Sequence, residues 1–511
     1  MQKRGIRTTS VTTVAATLLA AAGLAACGSG SASSAHNNKQ GTTHAAHVVI
    51  RAALPPSTGA IDSKDNAGLA KLTSEYEKAH PGVTVQWLPT STTSISTYNV
   101  TVQTQASGGN APDVVWEQYG AATSGQLPAG LLQNLRPFLE KPDPYVPGNK
   151  KWLSLFSAST IPYMESANGD IDIILGSNVE TGFYYSKSAF AKAGITSTPK
   201  TWAAMMTDLG KLKHAGVDPL LFADGGSCNP SWYERLVASS LMANQTKRFD
   251  VDHANVATGK DLAVGVERGV ISMSNPRYAE VWKLLRQMEP YFAPGGSSYD
   301  ACSDPTAVSP PLNPESLLVQ GKVGMEWGGS WWIPQLDSQG FSGKYGVFPE
   351  PTITSATTPL ALNTVTRGLI GGPNGNGEWS VTSQKADKTM TPAKTKTVMN
   401  FLAWLFTPPH LGYWIKISQQ GGDIPTEPSA PTVNLPGLKS LLPSGKVPTV
   451  VLPVLGGLLT SASSNDGLRL LQEYLNGSLS YSSFASQWQK ILTTAASTWA
   501  TQNHFDLSKY K

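Results

Sequence analysis

Residues His47 to Gly120 constrain the fold more than any other stretch. HVVIRAAL (47–54) is a short apolar run with strand character that ends in a turn at Pro55-Pro56-Ser57. Ala67–Ala79 carries Leu69, Leu72 and Tyr76 on one helical face, with Lys71, Glu75 and Glu77 off it. Pro81-Gly82 stops that helix. In Gly82–Leu88, Val83, Val85 and Trp87 alternate to one side, as in a half-buried strand. A second helix precedes a third strand, Asp113–Trp116. Strand, helix, strand, helix, strand at this spacing predicts an α/β unit with a mainly parallel sheet. Ligands of such sheets bind at the carboxyl ends of the strands, which places Ser57, Thr58, Glu117, Gln118 and Tyr119 on a functional rim.

The first residues read as an address. Lys3, Arg4 and Arg7 precede an apolar run, Val11–Leu24, and then Leu24-Ala25-Ala26-Cys27. A basic start followed by a short apolar run is the layout of a secretory signal, expected over residues 1–26. Gly28–Thr43 is rich in Ser, Gly, Asn and Ala without apolar periodicity, so residues 27–47 are expected to form a flexible tether. The formal net charge is +4 over 511 residues, and losing Lys3, Arg4 and Arg7 with the leader lowers it to +1. A near-neutral chain without a basic run argues against nucleic acid as a partner.

Gly321–Leu336, GKVGMEWGGSWWIPQL, reads as a buried strand of small residues. It breaks at Gly328-Gly329-Ser330 and delivers Trp331 and Trp332 to a helix start. Two adjacent indoles there suit either a core or a binding surface. Trp327, inside the strand end, reads as core. Farther upstream, Phe183–Ser186 and Pro219–Ala223 read as strands, and Thr201 caps a helix with Trp202, Met205, Leu209 and Leu212 at helical spacing. After the loop Asp224–Pro230, Trp232 and Tyr233 open another helix and are candidates for a pocket wall. Thr391-Pro392 begins a helix through Leu405 that Pro408-Pro409 is expected to end. Cys228 and Cys302 both lie in polar, Gly/Ser/Pro-rich loops, and in an oxidising compartment they are candidates for a disulfide. No Cys or His stands at ligand spacing around them, so no metal and no cofactor is expected.

Four stretches in order resemble the extracellular solute-binding proteins of ABC transporters, in the carbohydrate-binding branch (family 1) that includes maltose-binding protein. They are YEKAHPGVTV (76–85) with GGNAPDVV (108–115), YYSKSAFAKAGI…PKTW (184–202), the Gly321–Leu336 stretch, and FLAWLFTPPHLGYW…GGDIP (401–425). Ser186 stands where the family has Asn, and Gly324 where it has Ala. Leu24-Ala25-Ala26-Cys27 likewise resembles a lipobox, which implies lipidation of Cys27 and tethering outside the cell membrane. The resemblance implies a two-lobe α/β fold with a hinge between the lobes, each lobe a mainly parallel sheet flanked by helices. It places lobe 1 at 48–160 plus 305–360 and lobe 2 at 165–300 plus 370–500, with crossings near Pro162, Pro305 and Gly368. It implies a non-enzymatic, monomeric importer subunit that closes on a sugar or oligosaccharide and is met by the permease's transmembrane subunits. Carried over residue by residue, the ligand would meet Trp331 with Trp332 beside it, Trp232 or Tyr233, Trp116, Glu117 and Tyr119, Glu180 with Asn178, and Gly422-Asp423, with Ser57 on the rim.

Other readings stay open on the residues alone. The same scaffold could take a non-sugar solute or present its solute to a signalling partner. An exported glycoside hydrolase would share the aromatics and carboxylates, but would need a pair of carboxyl groups across the scissile bond.

Overall fold

The computed structural model describes residues 47–511 except 57–58, 91–94, 117–129, 159, 167, 252–255, 300–313, 365–377, 419–421, 442–449, 452–453 and 460. Its strands are β1 (Val48–Ala53), β2 (Val83–Leu88), β3 (Val114–Trp116), β4 (Ile174–Leu175), β5 (Ser177–Asn178), β6 (Thr181–Ser186), β7 (Asp218–Leu221), β8 (Val256–Ala257), β9 (Val323–Gly329), β10 (Tyr345–Phe348), β11 (Glu378–Val381), β12 (Ile424–Pro425) and β13 (Val450–Val451).

Two sheets organise these strands. The first has the order β2-β1-β3-β11-β4 and the second β10-β6-β9-β7. In the first, β1 runs parallel to β2 and β3, as the 47–116 pattern predicts, while β11 is antiparallel to both neighbours. In the second, only β7 and β9 are parallel, and β6 is antiparallel to β9 and β10. Both sheets are therefore mixed, which corrects the expectation of mainly parallel ones.

Strand pairing also corrects the division of the chain. The resemblance places residues 305–360 in the first lobe, yet β9 lies in the second sheet between β6 and β7, and β10 forms its edge. It places residues 370–500 in the second, yet β11 pairs with β3 and β4 in the first. The chain leaves the first sheet between β4 and β6 and returns between β10 and β11. It passes again through β12, which pairs with β5 as a two-stranded ribbon. The expected crossings near Pro305 and Gly368 lie outside the described residues; β7 and β9, before and after Pro305, pair in one sheet, and the expected crossing near Pro162 comes before β4. Proline and glycine breaks mark loops, and a loop is a crossing only if its flanking strands pair in different sheets.

Burial explains the composition of each layer. All seven residues of β9 are buried, so the strand must be covered on both faces. On one face Trp327 stacks on Phe183, with ring centroids 4.8 Å apart, and Phe183 on Phe348 at 5.4 Å. Tyr233 from the helix Cys228–Met242 closes that layer edge-on to Trp327. In the first lobe Trp87 packs against Trp379 and Phe401. The Asp of the "P-D-V" motif is structural. Asp113 accepts from the Arg51 backbone N–H at 2.7 Å and pairs with Lys394 at 2.7 Å, joining β1, β3 and the helix Pro392–Leu405. The helix Pro392–Leu405 ends just before Pro408-Pro409, as expected, and the two prolines also form the first turn of the next helix, Pro408–Ile417, where a missing N–H costs no hydrogen bond. Among the described residues no helix is long and apolar enough to cross a membrane.

Candidate functional site

The second sheet sets the geometry. Because β6 is antiparallel to β9, with Thr181 opposite Gly329, the start of β6 lies beside the end of β9. The ends of β7 and β10 lie at the same edge, since β7 is parallel to β9 and β10 antiparallel to β6. Asn229, at the start of the helix Cys228–Met242, ties this edge: its amide donates to the Trp327 carbonyl and accepts from the Ala223 N–H, each at 3.0 Å.

At this edge Trp331 is seated on backbone. A Cβ on Gly329 would lie 1.8 Å from Trp331 Cζ3 and 2.2 Å from Cη2, so the six-membered ring covers the glycine face. A Cβ on Gly328 would lie 2.2 Å from the Trp332 ring. A Cβ on Gly422 would lie 2.0 Å from the Ser330 carbonyl oxygen and 3.0 Å from the Trp331 nitrogen. The three glycines are needed for close approach, not for their dihedral freedom. Trp331 keeps part of its surface open, and Trp232 meets it edge-on at 5.9 Å and 66°.

The hinge ribbon brings the polar groups. The Ser330 N–H donates to the Glu180 carbonyl at 2.7 Å, and the Glu180 N–H donates to Ser330 Oγ at 3.2 Å. Ser177 Oγ donates to Asp423 Oδ2 at 3.0 Å, next to the pairing of Asn178 with Ile424. Trp331, Trp232, Glu180, Asn178, Gly422 and Asp423 thus come together from four separate sequence stretches; Trp331 and Asn178 keep open surface, whereas Trp232, Glu180 and Asp423 are buried where they meet them. Others do not join them. Trp332 is 1% exposed against Tyr184, and Tyr233 is fully buried with its hydroxyl donating to the Val281 carbonyl at 2.9 Å. Both were expected at the ligand and both are core, because the helices that carry them turn those side chains onto the sheet. Trp116 ends β3 in the first sheet, buried edge-on to Tyr98. Ser57, Glu117, Tyr119, Cys27 and Cys302 lie outside the described residues. Cys228 is disulfide-bonded.

Buried charges that no sequence motif marks lie next to this platform. Arg235, one helical turn beyond Trp232, is 1% exposed. Its Nη2 donates to Thr181 Oγ1 at 2.7 Å and lies 3.5 Å from Glu350 Oε1, and Thr181 Oγ1 donates to the same oxygen at 2.7 Å. Burial lowers the guanidinium pKa, opposed by Glu350, Glu180 and Tyr163. Burial likewise raises the Glu350 carboxyl, opposed by Arg235. The available signal was spacing: Arg235 is three residues after Trp232, hence on its side of the helix. Among the described residues, no group of three or more His, Cys, Asp or Glu could hold a metal ion.

Comparison with known proteins agrees with this architecture. Residues 71–439 match the family model of the bacterial extracellular solute-binding proteins. No curated protein sequence matches the chain. Among solved structures, a chitin oligosaccharide binding protein is similar at a TM-score of 0.61 and 21% identity, covering 88% of this chain and 99% of its own. A family 1 extracellular solute-binding protein from Bifidobacterium longum subsp. infantis is similar at 0.59 and 16%, covering 89% and 100%. The solute-binding protein RafE in complex with raffinose is similar at 0.58 and 13%, covering 88% and 99%. These likenesses establish the two-lobe α/β fold, and the family match covers well over half of the chain. The chain belongs to the bacterial extracellular solute-binding proteins.

Proposed function

We propose that the protein captures a sugar or oligosaccharide between its lobes and delivers it to the transmembrane subunits of an ABC importer, without chemically changing it. The observation that carries this reading is Trp331. One face of its indole is filled by backbone at Gly329, part of its surface stays open, and it is flanked by Ser330, which is hydrogen-bonded to the Glu180 backbone, and by Gly422, which packs on the Ser330 carbonyl. A pyranose offers an apolar C–H face to an indole and a ring of hydroxyls to carboxylates and amides. Trp331, Trp232, Glu180, Asn178, Gly422 and Asp423 form the ligand set of this proposal. The solved neighbours named for chitin oligosaccharide and raffinose lend it support from outside the chain.

Residues 1–26 are read as an export signal, Cys27 as the lipidated residue and 27–47 as the tether, so that the protein sits on the outer face of the cell membrane. The basic start, apolar run and Leu24-Ala25-Ala26-Cys27 support this. Cys27→Ala should move the protein from the membrane fraction to the medium, and retention on the membrane would contradict the anchor.

The test of binding is a thermal-shift screen against mono-, di- and oligosaccharides. A ligand at one hundred times its Kd stabilises the folded state by about 2.7 kcal/mol. A shift that Trp331→Ala abolishes supports the reading. The absence of a shift with every sugar, together with one for a peptide or polyamine, would replace it.

A further inference from the structure

The family match ends at residue 439, yet the helices Ser461–Leu475 and Tyr481–Gln502 are packed into the second lobe. They reach the segment that carries Trp232 from both of its ends. Before the helix Cys228–Met242, Gln472 Nε2 donates to the Asp224 carbonyl at 2.8 Å, and Asp224 itself accepts from Ser297 Oγ at 2.9 Å. Within the helix, Glu234 is 1% exposed and accepts from Tyr278 Oη at 2.7 Å. Tyr278 Oη in turn accepts from Trp488 Nε1 at 3.1 Å. The Leu455 N–H approaches the second oxygen of Glu234 at 3.4 Å. Trp488 is itself fully buried, edge-on to Trp282 at 4.8 Å.

We infer that the C-terminal helices position the ligand platform: Trp488, Tyr278 and Glu234 form a buried hydrogen-bonded relay that, with Gln472, sets where Trp232 meets Trp331. The inference rests on the proposed sugar site only for the importance of the Trp232–Trp331 contact; the relay itself is independent of any ligand. The physical ground is the stiffness of the links. Each relay atom is a directional donor or acceptor removed from water, so deleting one leaves the next unsatisfied and free to shift. Trp232 and Glu234 are two residues apart in one helix, so a rotation or slide that satisfies Glu234 elsewhere moves Trp232 against Trp331.

The test uses the full chain labelled with 5-fluorotryptophan and read by fluorine NMR. The Trp232, Trp331, Trp87 and Trp404 signals are assigned by single Trp→Phe substitutions. Tyr278→Phe deletes only the relay hydroxyl. The expected result is that the Trp232 and Trp331 signals move by more than their linewidths. Those of Trp87 and Trp404 stay in place; both are in the first lobe, where Trp404 Nε1 donates to the Leu72 carbonyl at 3.1 Å. If neither Trp232 nor Trp331 moves, or if the Trp87 and Trp404 signals move equally, the positioning role is refuted. Gln472→Ala, at a half-buried position, repeats the test should Tyr278→Phe fail to fold. Because no sugar is added, failure here leaves the sugar reading intact, and failure of the sugar screen leaves this test valid.

Discussion

Gly329→Ala separates the seating of Trp331 from its mere presence. The added Cβ would lie 1.8, 2.2 and 2.3 Å from Cζ3, Cη2 and Cε3 of the indole. Carbon atoms in good contact stand about 3.5–4.0 Å apart, so the ring or the strand must give by well over an ångström. The strand is poorly placed to move. Gly329 pairs with Thr181, its carbonyl accepts from Tyr184 Oη at 2.6 Å, and Ser330 N–H is held by Glu180. Trp331 is only half buried and begins a helix, so the indole swings outward instead.

That partition sets the magnitudes. Overpacking a rigid site costs about 1–3 kcal/mol, and a ring free to leave keeps the loss of stability near the lower end. Binding should suffer more. A well-seated aromatic contact contributes about 0.5–1.5 kcal/mol beyond its area, and the displaced ring also occludes the volume it used to line. We expect at least a tenfold rise in Kd, equivalent to about 1.4 kcal/mol. The assay is calorimetric titration with the sugar giving the largest thermal shift, beside a urea melt of the same variant. Trp331→Ala, which leaves Gly329 free, should weaken binding by a similar factor. A Gly329→Ala protein that binds as tightly as the parent would falsify the seating argument.

Other expectations follow from the buried charges. Arg235→Met leaves the Glu350 carboxylate buried without its cation, a loss of about 3–5 kcal/mol in a urea melt; a cost below about 1 kcal/mol would show that Thr181 alone suffices. Glu427 lies beside the hinge ribbon, and burial, then the like charge of Asp143, pushes its carboxyl up to about 8. A carboxyl whose folded value is raised contributes stability that is complete below its unfolded value and lost as pH climbs through the folded one. Wild type should therefore lose stability against Glu427→Gln between about pH 5 and pH 9, by an amount on the order of a few kcal/mol. Melts at pH 5, 7 and 9 in which the two proteins stay parallel would contradict it.

What the sequence revealed and what it hid divide along the range of the interactions. The alternation of Val83, Val85 and Trp87 reports a local burial pattern, and β2 lies where it predicts. Thr201 is a cap because its side chain accepts from the Ala204 N–H, three residues away. Membership of the two sheets is a different kind of fact. Nothing within β11 distinguishes a strand antiparallel to β3 from one in the second lobe, and 262 residues separate Val115 from its neighbour's start at Glu378. Only the pairing decides it.

The site shows the same limit more sharply. Trp331 and Trp332 are adjacent, with equal prospects on composition, and a glycine stands under each. What separates them is direction. Trp332 lies over Gly328, on the face of β9 shared with Tyr184, and is sealed there; Trp331 lies over Gly329 and meets Trp232 at the sheet edge. A strand turns successive residues to opposite faces, so Gly328 and Gly329 lie on opposite faces of β9 and sort the two indoles above them. Arg235 could have been found by its helical spacing from Trp232, but its charge makes sense only beside Glu350 and Thr181, which enter from two other crossings of the chain. Residues that bind at a hinge are contributed by segments distant in sequence because the hinge is where those segments meet, so a local pattern can nominate such residues singly but cannot assemble them.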